Sequence, residues 1–477
     1  MILRFLLFIA ALGVPTVLAQ ALPDLGDVSA ATISVADEQR LGENIMREIR
    51  RDPAYYDDPE VTDYTNSLGL RLTSGVTAET RQAFDFFVIR DPQINAFAMP
   101  GGFIGVHTGL ILAAQSESEV AGVLGHEIAH VTQRHIARMI NQQGNNQLMS
   151  LAAMAVALLA ARSNSQVAEA AFAFGQAGAI QNQLNFTRSN EREADRVGVQ
   201  ILERSGFDPR GMEVFFERMQ RATRVYETGA PSYLRTHPLT FERIADIQSR
   251  LESMPYRQVA DSLEFQLIRA KLRAELGAPH EALAFFESSL GERKYLSELA
   301  SRYGLVASLI RNKLWSRARQ EMVGLRKTVN PIVENLGCQL EAASGNRTGA
   351  LQCFVAARRL FPNYRALFYG HLEQLLWLRQ AAQALSMIEE GLQTRPDDSF
   401  LYQLQAEAYA ALGKPLMQHR ALAEAYLRRG QLGAAVEQLQ IALKSGGGDF
   451  YILSATESRL RELRRQLVEQ KRQPQRF

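Results

Sequence analysis

An excess of one sign of charge is nearly absent from this chain. Its 53 lysines and arginines oppose 51 aspartates and glutamates, so the basic excess that phosphate neutralisation demands is missing, which argues against nucleic acid as a partner. Long apolar runs are missing as well. Phe5 to Leu12 and Leu148 to Ala161 both fall short of the roughly 20 residues that span a bilayer as a helix. Cysteine is scarce, with only Cys338 and Cys353 present; an oxidising compartment would permit them to pair.

What remains is the composition of an ordinary globular protein. Hydrophobic residues make up 46% and charged residues 22% of 477 positions, enough for a sizeable core and about two or three domains. Residues 1–21 have the form of a signal peptide: Arg4, the apolar Phe5 to Leu12, then small residues with cleavage sites after Ala19 or Ala21. The alternative is an uncleaved anchor, and in either case the bulk of the chain is exported.

Periodicity divides the rest. Ala36 to Leu72 is helical in pattern with an interruption at Asp52-Pro53. Phe84 to Ile89, Ile94 to Met99 and Phe103 to His107 read as extended pieces of a small sheet, in hairpin-like arrangement, punctuated by Asp91-Pro92 and Pro100-Gly101-Gly102. One long helix is expected from about Ser116 to Asn141, opened by Ser116 and Glu119 as a capping box. The Ala-rich segment 148–180 reads as a helical hairpin packed on the protein, or as a lid or membrane-touching flap. A further helix spans about Asn190 to Ser205 and stops at Gly206-Phe207-Asp208-Pro209. From about Leu263 onward, hairpins recur near the 34-residue period of tetratricopeptide repeats. Ala423, Tyr426, Gly430, Ala435, Leu439 and Ala442 form the clearest unit, and the Arg-rich Glu457 to Lys471 reads as a terminal cap. The expected division is 22–255 for a first domain and 260–477 for a repeat domain. Cys338 and Cys353 fall on the two helices of one repeat, where a bridge is geometrically plausible; a disulfide and two buried thiols both stay open.

The chemistry lies in the first domain. His126 and His130 are four apart on the expected helix, so both imidazoles leave one face and can hold a single ion. Glu127 stands one step round, placed to take a proton from a water activated by zinc. A catalytic zinc site needs a third protein ligand and an open position. His135 is nearby, but the extended pattern with a third histidine requires glycine at 133 and histidine at 136, where Gln133 and Ile136 stand. The better source is Asn190-Glu191-Arg192-Glu193-Ala194-Asp195, in which Glu191 and Asp195 share a helix face and Glu193 points elsewhere. Glu191 is assigned to the metal, one Zn2+ per chain, and Asp195 to holding a ligand imidazole in its tautomer. An acidic helix start favoured by the macrodipole is the competing explanation.

His126-Glu127-Ile128-Ala129-His130 followed by Glu191-x-x-Ala194-Asp195 resembles peptidase family M48, in which the second motif supplies the third zinc ligand. Asn95-Ala96-Phe97-Ala98-Met99-Pro100-Gly101-Gly102 is similar to the segment these enzymes use as an edge strand beside the cleft, although His107 stands where an aromatic is expected. The resemblance implies a zincin-like (gluzincin) α+β peptidase domain, mostly helical with a small sheet, ahead of the all-α repeat solenoid. It also implies a periplasmic zinc endopeptidase with unfolded or misassembled outer-membrane proteins as clients and the barrel assembly machinery as partner. By the same carry-over His237 and Arg243 belong near the cleft, to stabilise an oxyanion or, for His237, to fill the open zinc position and hold the enzyme idle. Substrate capture is expected at Asn95, Ala96, Phe97 and Met99 through main-chain pairing. The rival function is a chaperone or assembly factor working through the concave repeat surface with proteolysis repressed; Glu127 beside an open metal position argues against a purely binding protein.

Overall fold

The computed structural model describes residues 33–76, 83–143, 188–225 and 232–472. The expected signal peptide and the Ala-rich segment 148–180 lie outside the described residues.

Two capped helices come first. In α1 (Val35–Ile49), Ser34 accepts from the Asp37 amide and the Asp37 carboxylate returns to the Ser34 amide. In α2 (Pro59–Thr73), the Asp58 carboxylate accepts from the Glu60 and Val61 amides, and Pro59 occupies the first turn, where a missing N–H costs nothing. The sheet that follows has order β1 (Asp85–Ile89), β3 (Phe103–His107), β2 (Ala96–Ala98), with β1 parallel and β2 antiparallel to β3. The hairpin expectation therefore holds for β2 and β3 only. Nearly every residue of β1 and β3 is buried, and a strand covered on both faces reads as a continuous apolar run that carries no information on which neighbour it pairs with.

β2 is an edge strand. Met99 N–H donates to Phe103 O and His107 N–H to Asn95 O, so odd positions bond inward to β3 while the backbone groups of Ala96 and Ala98 face the other way.

The expected single helix from Ser116 to Asn141 is two. After the short α3 (Thr108–Ala113), α4 (Glu117–Thr132) starts at Ser116, whose hydroxyl accepts from the Glu119 amide, and is buried from Glu117 through Val131. It stops because Arg134 turns left-handed, φ 51°, and α5 (His135–Gln143) restarts in a new direction. For arginine that backbone costs roughly 1–2 kcal/mol. Its guanidinium offsets the cost by donating to Glu38 Oε1 at 2.7 and 3.1 Å and to Ile33 O at 2.8 Å, tying the break to the start of α1.

α6 (Arg188–Ser205) lies against α4 at two glycines. A Cβ on Gly198 would stand 2.8 Å from Met212 Cε and 3.2 Å from His126 N, and one on Gly125 3.3 Å from Gly198 O. Only bare backbone lets the two helices approach this closely. α7 (Arg210–Val225), α8 (Ser232–Thr236) and α9 (Phe241–Glu252) complete this part.

The rest is a solenoid of helical hairpins: α10 (Leu263–Glu275) with α11 (Pro279–Gly291), α12 (Glu298–Arg311) with α13 (Trp315–Leu325), and α14 (Pro331–Ala343) with α15 (Arg347–Leu360). It continues through α16 (Arg365–Trp377), α17 (Ala381–Thr394), α18 (Ser399–Ala411) and α19 (Pro415–Arg428) to α20 (Leu432–Lys444) and α21 (Phe450–Arg472). The repeat is marked by left-handed turn residues Gly277, Lys313, Gly345, Arg379 and Gly413. The unit read as clearest, Ala423 to Ala442, is the α19–α20 hairpin, turned at the left-handed Gly430, φ 72°; it shares α19 with the hairpin turned at Gly413, each helix of a solenoid packing on both neighbours. Cys338 on α14 and Cys353 on α15 are joined by a disulfide.

The solenoid is fastened to α2 by a buried polar joint. Lys271 Nζ donates to Glu60 Oε2 at 2.6 Å and Asp58 Oδ2 at 2.7 Å, and Asn335 and Tyr364 donate to Glu60 Oε1. It then curls back until Arg51 donates to Gly430 O at 2.6 Å. An open cleft of about 1450 Å³ lies between, lined by residues such as Arg47, Phe103, Arg347 and Arg395. Among the described residues no helix is long and apolar enough to cross a membrane.

Candidate metal centre

The glycine contact between α4 and α6 brings the two motifs face to face. His126 Nε2 lies 3.0 Å from His130 Nε2 and 3.5 Å from Glu191 Oε2, and Glu191 Oε1 lies 3.4 Å from His130 Nε2. His237, one residue past α8, completes the group, with Nδ1 3.1 Å from Glu191 Oε1 and 3.4 Å from His126 Nε2. One ligand atom from each of these four residues falls within 4.8 Å of every other, and all four residues are buried.

Asp195 stands behind His126, Oδ1 at 2.9 Å from Nδ1. Arg243 on α9 grips Asp195 with two parallel hydrogen bonds of 2.7 and 2.8 Å, donates to Pro238 O at 2.8 Å and pairs with Glu191 Oε2 at 2.8 Å. Its donors are thus directed at the acids and a carbonyl. Glu127 Oε2 accepts from the Ala98 amide of the edge strand at 3.0 Å, while Oε1 has no hydrogen-bond partner among the described residues and lies 3.5 Å from His237 Nε2.

The electrostatics follow from packing so many ionisable groups out of water. Burial alone would lower the His126 imidazole, but the Asp195 and Glu191 carboxylates overcome it and push it up to about 9. Burial takes His130 the other way, well below its ordinary value. Burial also raises the Glu127 carboxyl, with His237 partly opposing it. Glu191 is driven up by burial, yet His237, His126 and His130 together hold it well below the usual carboxylate range. Among the described residues, the three acids of the centre, Glu127, Glu191 and Asp195, are buried with one guanidinium, Arg243, which pairs with Glu191 and Asp195. With neutral imidazoles that leaves an excess of negative charge which a divalent cation offsets, and two imidazoles with one carboxylate are a catalytic zinc donor set. The residues present fit the ion.

Of the expected substrate residues, Asn95, Ala96, Phe97 and Met99 lie on or beside β2. Ala96 and Met99 are buried, and Phe97 packs edge-on against Phe87 and His107. The strand thus offers its backbone to a ligand, not these side chains. Sequence reasoning passed over Tyr233 and gave no role to His135 and Glu193. Tyr233, fully buried, stacks on His237 with ring centroids 4.7 Å apart and takes the His237 amide on its carbonyl; its position four before His237 on a helical turn was the available signal. His135 and Glu193 were set aside as non-ligands, yet His135 lies 2.7 Å from His130 Nδ1 and 3.2 Å from Glu193.

This is the architecture of a metallopeptidase, and the comparisons with known proteins agree. The profile of peptidase family M48 matches residues 59–251, and the chain belongs to that family. It is 32% identical over 430 residues to the beta-barrel assembly-enhancing protease of Escherichia coli K12, covering 89% of this chain and 87% of that one. A Vibrio cholerae protein that carries the same name provisionally is 42% identical over 253 residues, 53% of this chain and 52% of its own length. The mitochondrial metalloendopeptidase OMA1 of Schizosaccharomyces pombe is 29% identical over 239 residues, 48% of this chain and 66% of that protein.

Proposed function

We propose that this chain is a zinc-dependent endopeptidase of the periplasm that degrades or processes misassembled outer-membrane proteins, with residues 22–255 as peptidase domain and 260–477 recruiting clients or partners. The observation that carries the chemistry is the meeting of His126, His130 and Glu191 with Glu127 alongside. Support for the clients is the name of the relatives matched over most of their length, and for the compartment the signal-like residues 1–21.

Zinc, when bound by His126, His130 and Glu191, supplies Lewis acidity to the attacking water and the scissile carbonyl. An extended segment of client adds to the outer backbone edge of β2, a mode that reads main chain and so selects unfolded protein. The Ala98 amide holds Glu127 by one oxygen and leaves the other to take the proton from the attacking water and pass it to the leaving amine. Asp195 keeps His126 in the tautomer that presents Nε2, and Arg243 positions both Asp195 and Glu191, a role its committed donors favour over contact with an oxyanion. Purified protein is expected to cleave a urea-denatured barrel protein and spare the folded barrel, with a zinc chelator stopping the reaction. Cleavage that survives the chelator would dispose of this reading.

His237 sits among the ligands, its Nδ1 3.1 Å from Glu191 Oε1 and within the same four-residue group, which favours the idling role over the catalytic one. His237→Ala is therefore expected to raise the steady-state rate on a model peptide about tenfold or more, since vacating a fourth ligand opens the position a catalytic site needs. A fall in rate would assign His237 to the oxyanion instead.

A further inference from the structure

The break between α4 and α5 has a chemical use. On an uninterrupted helix the residue five places beyond His130 would point about 140° away from it at 100° per residue. The left-handed backbone at Arg134 instead folds His135 back beneath His130. The two rings meet at 75° with centroids 4.8 Å apart and Nδ1 to Nδ1 at 2.7 Å. Both imidazoles are fully buried. Beyond them, His135 Nε2 lies 3.2 Å from Glu193 Oε2, and Arg138 Nη2 donates to that same oxygen at 2.7 Å.

Only one placement of protons satisfies this row if His130 Nε2 is a metal ligand, as the reading above requires. A coordinating Nε2 must carry a lone pair, so the His130 proton is on Nδ1 and donates to His135 Nδ1. His135 Nδ1 then accepts, its proton is on Nε2, and it donates to the Glu193 carboxylate. The second zinc imidazole thereby receives an outer support built like the first: His126 is backed by Asp195 and Arg243, His130 by His135, Glu193 and Arg138. We propose that His135 and Glu193 are positioning residues that fix the tautomer and ring plane of His130, with an imidazole inserted between ligand and carboxylate.

The test measures zinc affinity by competition with a fluorescent chelator, together with the melting temperature of the chelator-stripped protein, on wild type, His135→Phe, Glu193→Ala and the double variant. His135→Phe is expected to weaken zinc binding about 10–100-fold and Glu193→Ala by less. The double variant should be no weaker than His135→Phe, because Glu193 acts only through His135. The stripped proteins should melt together, which a purely structural role would not allow. If His135→Phe fails to fold, Glu193→Ala, at a carboxylate 39% exposed, carries the test. Variants that bind zinc as tightly as wild type, losses that multiply in the double variant, or losses matched by an equal drop in stripped-protein melting each overturn the proposal. A wild type that binds no zinc would instead defeat the metal reading itself.

Discussion

Glu127→Gln is expected to lower peptide hydrolysis by about two to four orders of magnitude, the range a positioned proton-transfer group contributes, while zinc content and melting temperature stay near wild type. The substitution is nearly isosteric, which matters at a side chain with no exposed surface. The amide oxygen of glutamine can still accept from the Ala98 N–H, now met at 3.0 Å. What is lost is the other oxygen, which stands without a hydrogen-bond partner among the described residues and is replaced by an NH2 group that cannot take a proton. The same variant separates the enzyme from the chaperone reading. If cells relying on Glu127→Gln still assemble outer-membrane barrels normally, the solenoid acts without proteolysis; hydrolysis that persists in the purified variant would place the base elsewhere.

Glu191→Ala is expected to be more severe, because it removes a ligand and not a base. Losing an outer partner of a metal ligand typically costs 10–100-fold in affinity, and losing the ligand itself should exceed that, with activity falling to background at limiting zinc. The damage has a second part. Glu191 also pairs with Arg243 at 2.8 Å, so its removal frees a buried guanidinium donor and loosens the clamp on Asp195 and through it on His126. A Glu191→Gln variant should retain more of the packing and still bind zinc weakly, since the neutral amide gives up the charge that holds a dication.

Much of this was legible in the chain. His126, Glu127 and His130 announce themselves by spacing on a helix, and Glu191 with Asp195 by sharing a face four residues apart. The folded chain brings these together with His237 and Arg243, two residues pointed to by family likeness and not by pattern. What could not be read depends on backbone turns made by residues that carry no turn signal. Arg134 takes a left-handed conformation with neither glycine nor proline to mark it, so one helix was expected where two exist, and His135, set aside because Gln133 and Ile136 do not fit the extended motif, gave no sign that it meets His130. Glu193 was read only as pointing off the face shared by Glu191 and Asp195, with nothing to say that it meets His135. The pairing of β1 with β3 was hidden because both are covered on each face. The 34-residue recurrence was plain, but nothing local foretold that the end of the solenoid returns to α1 through Arg51 and Gly430.

The most direct test of the account is the zinc content of purified protein by elemental analysis, before and after chelation, for wild type beside Glu191→Ala. About one zinc per wild-type chain, removable with loss of activity and restored with it, and far less in Glu191→Ala, is the predicted result for a site of two imidazoles and one carboxylate. Zinc at wild-type level in Glu191→Ala, or full peptidase activity in metal-free protein, would contradict it.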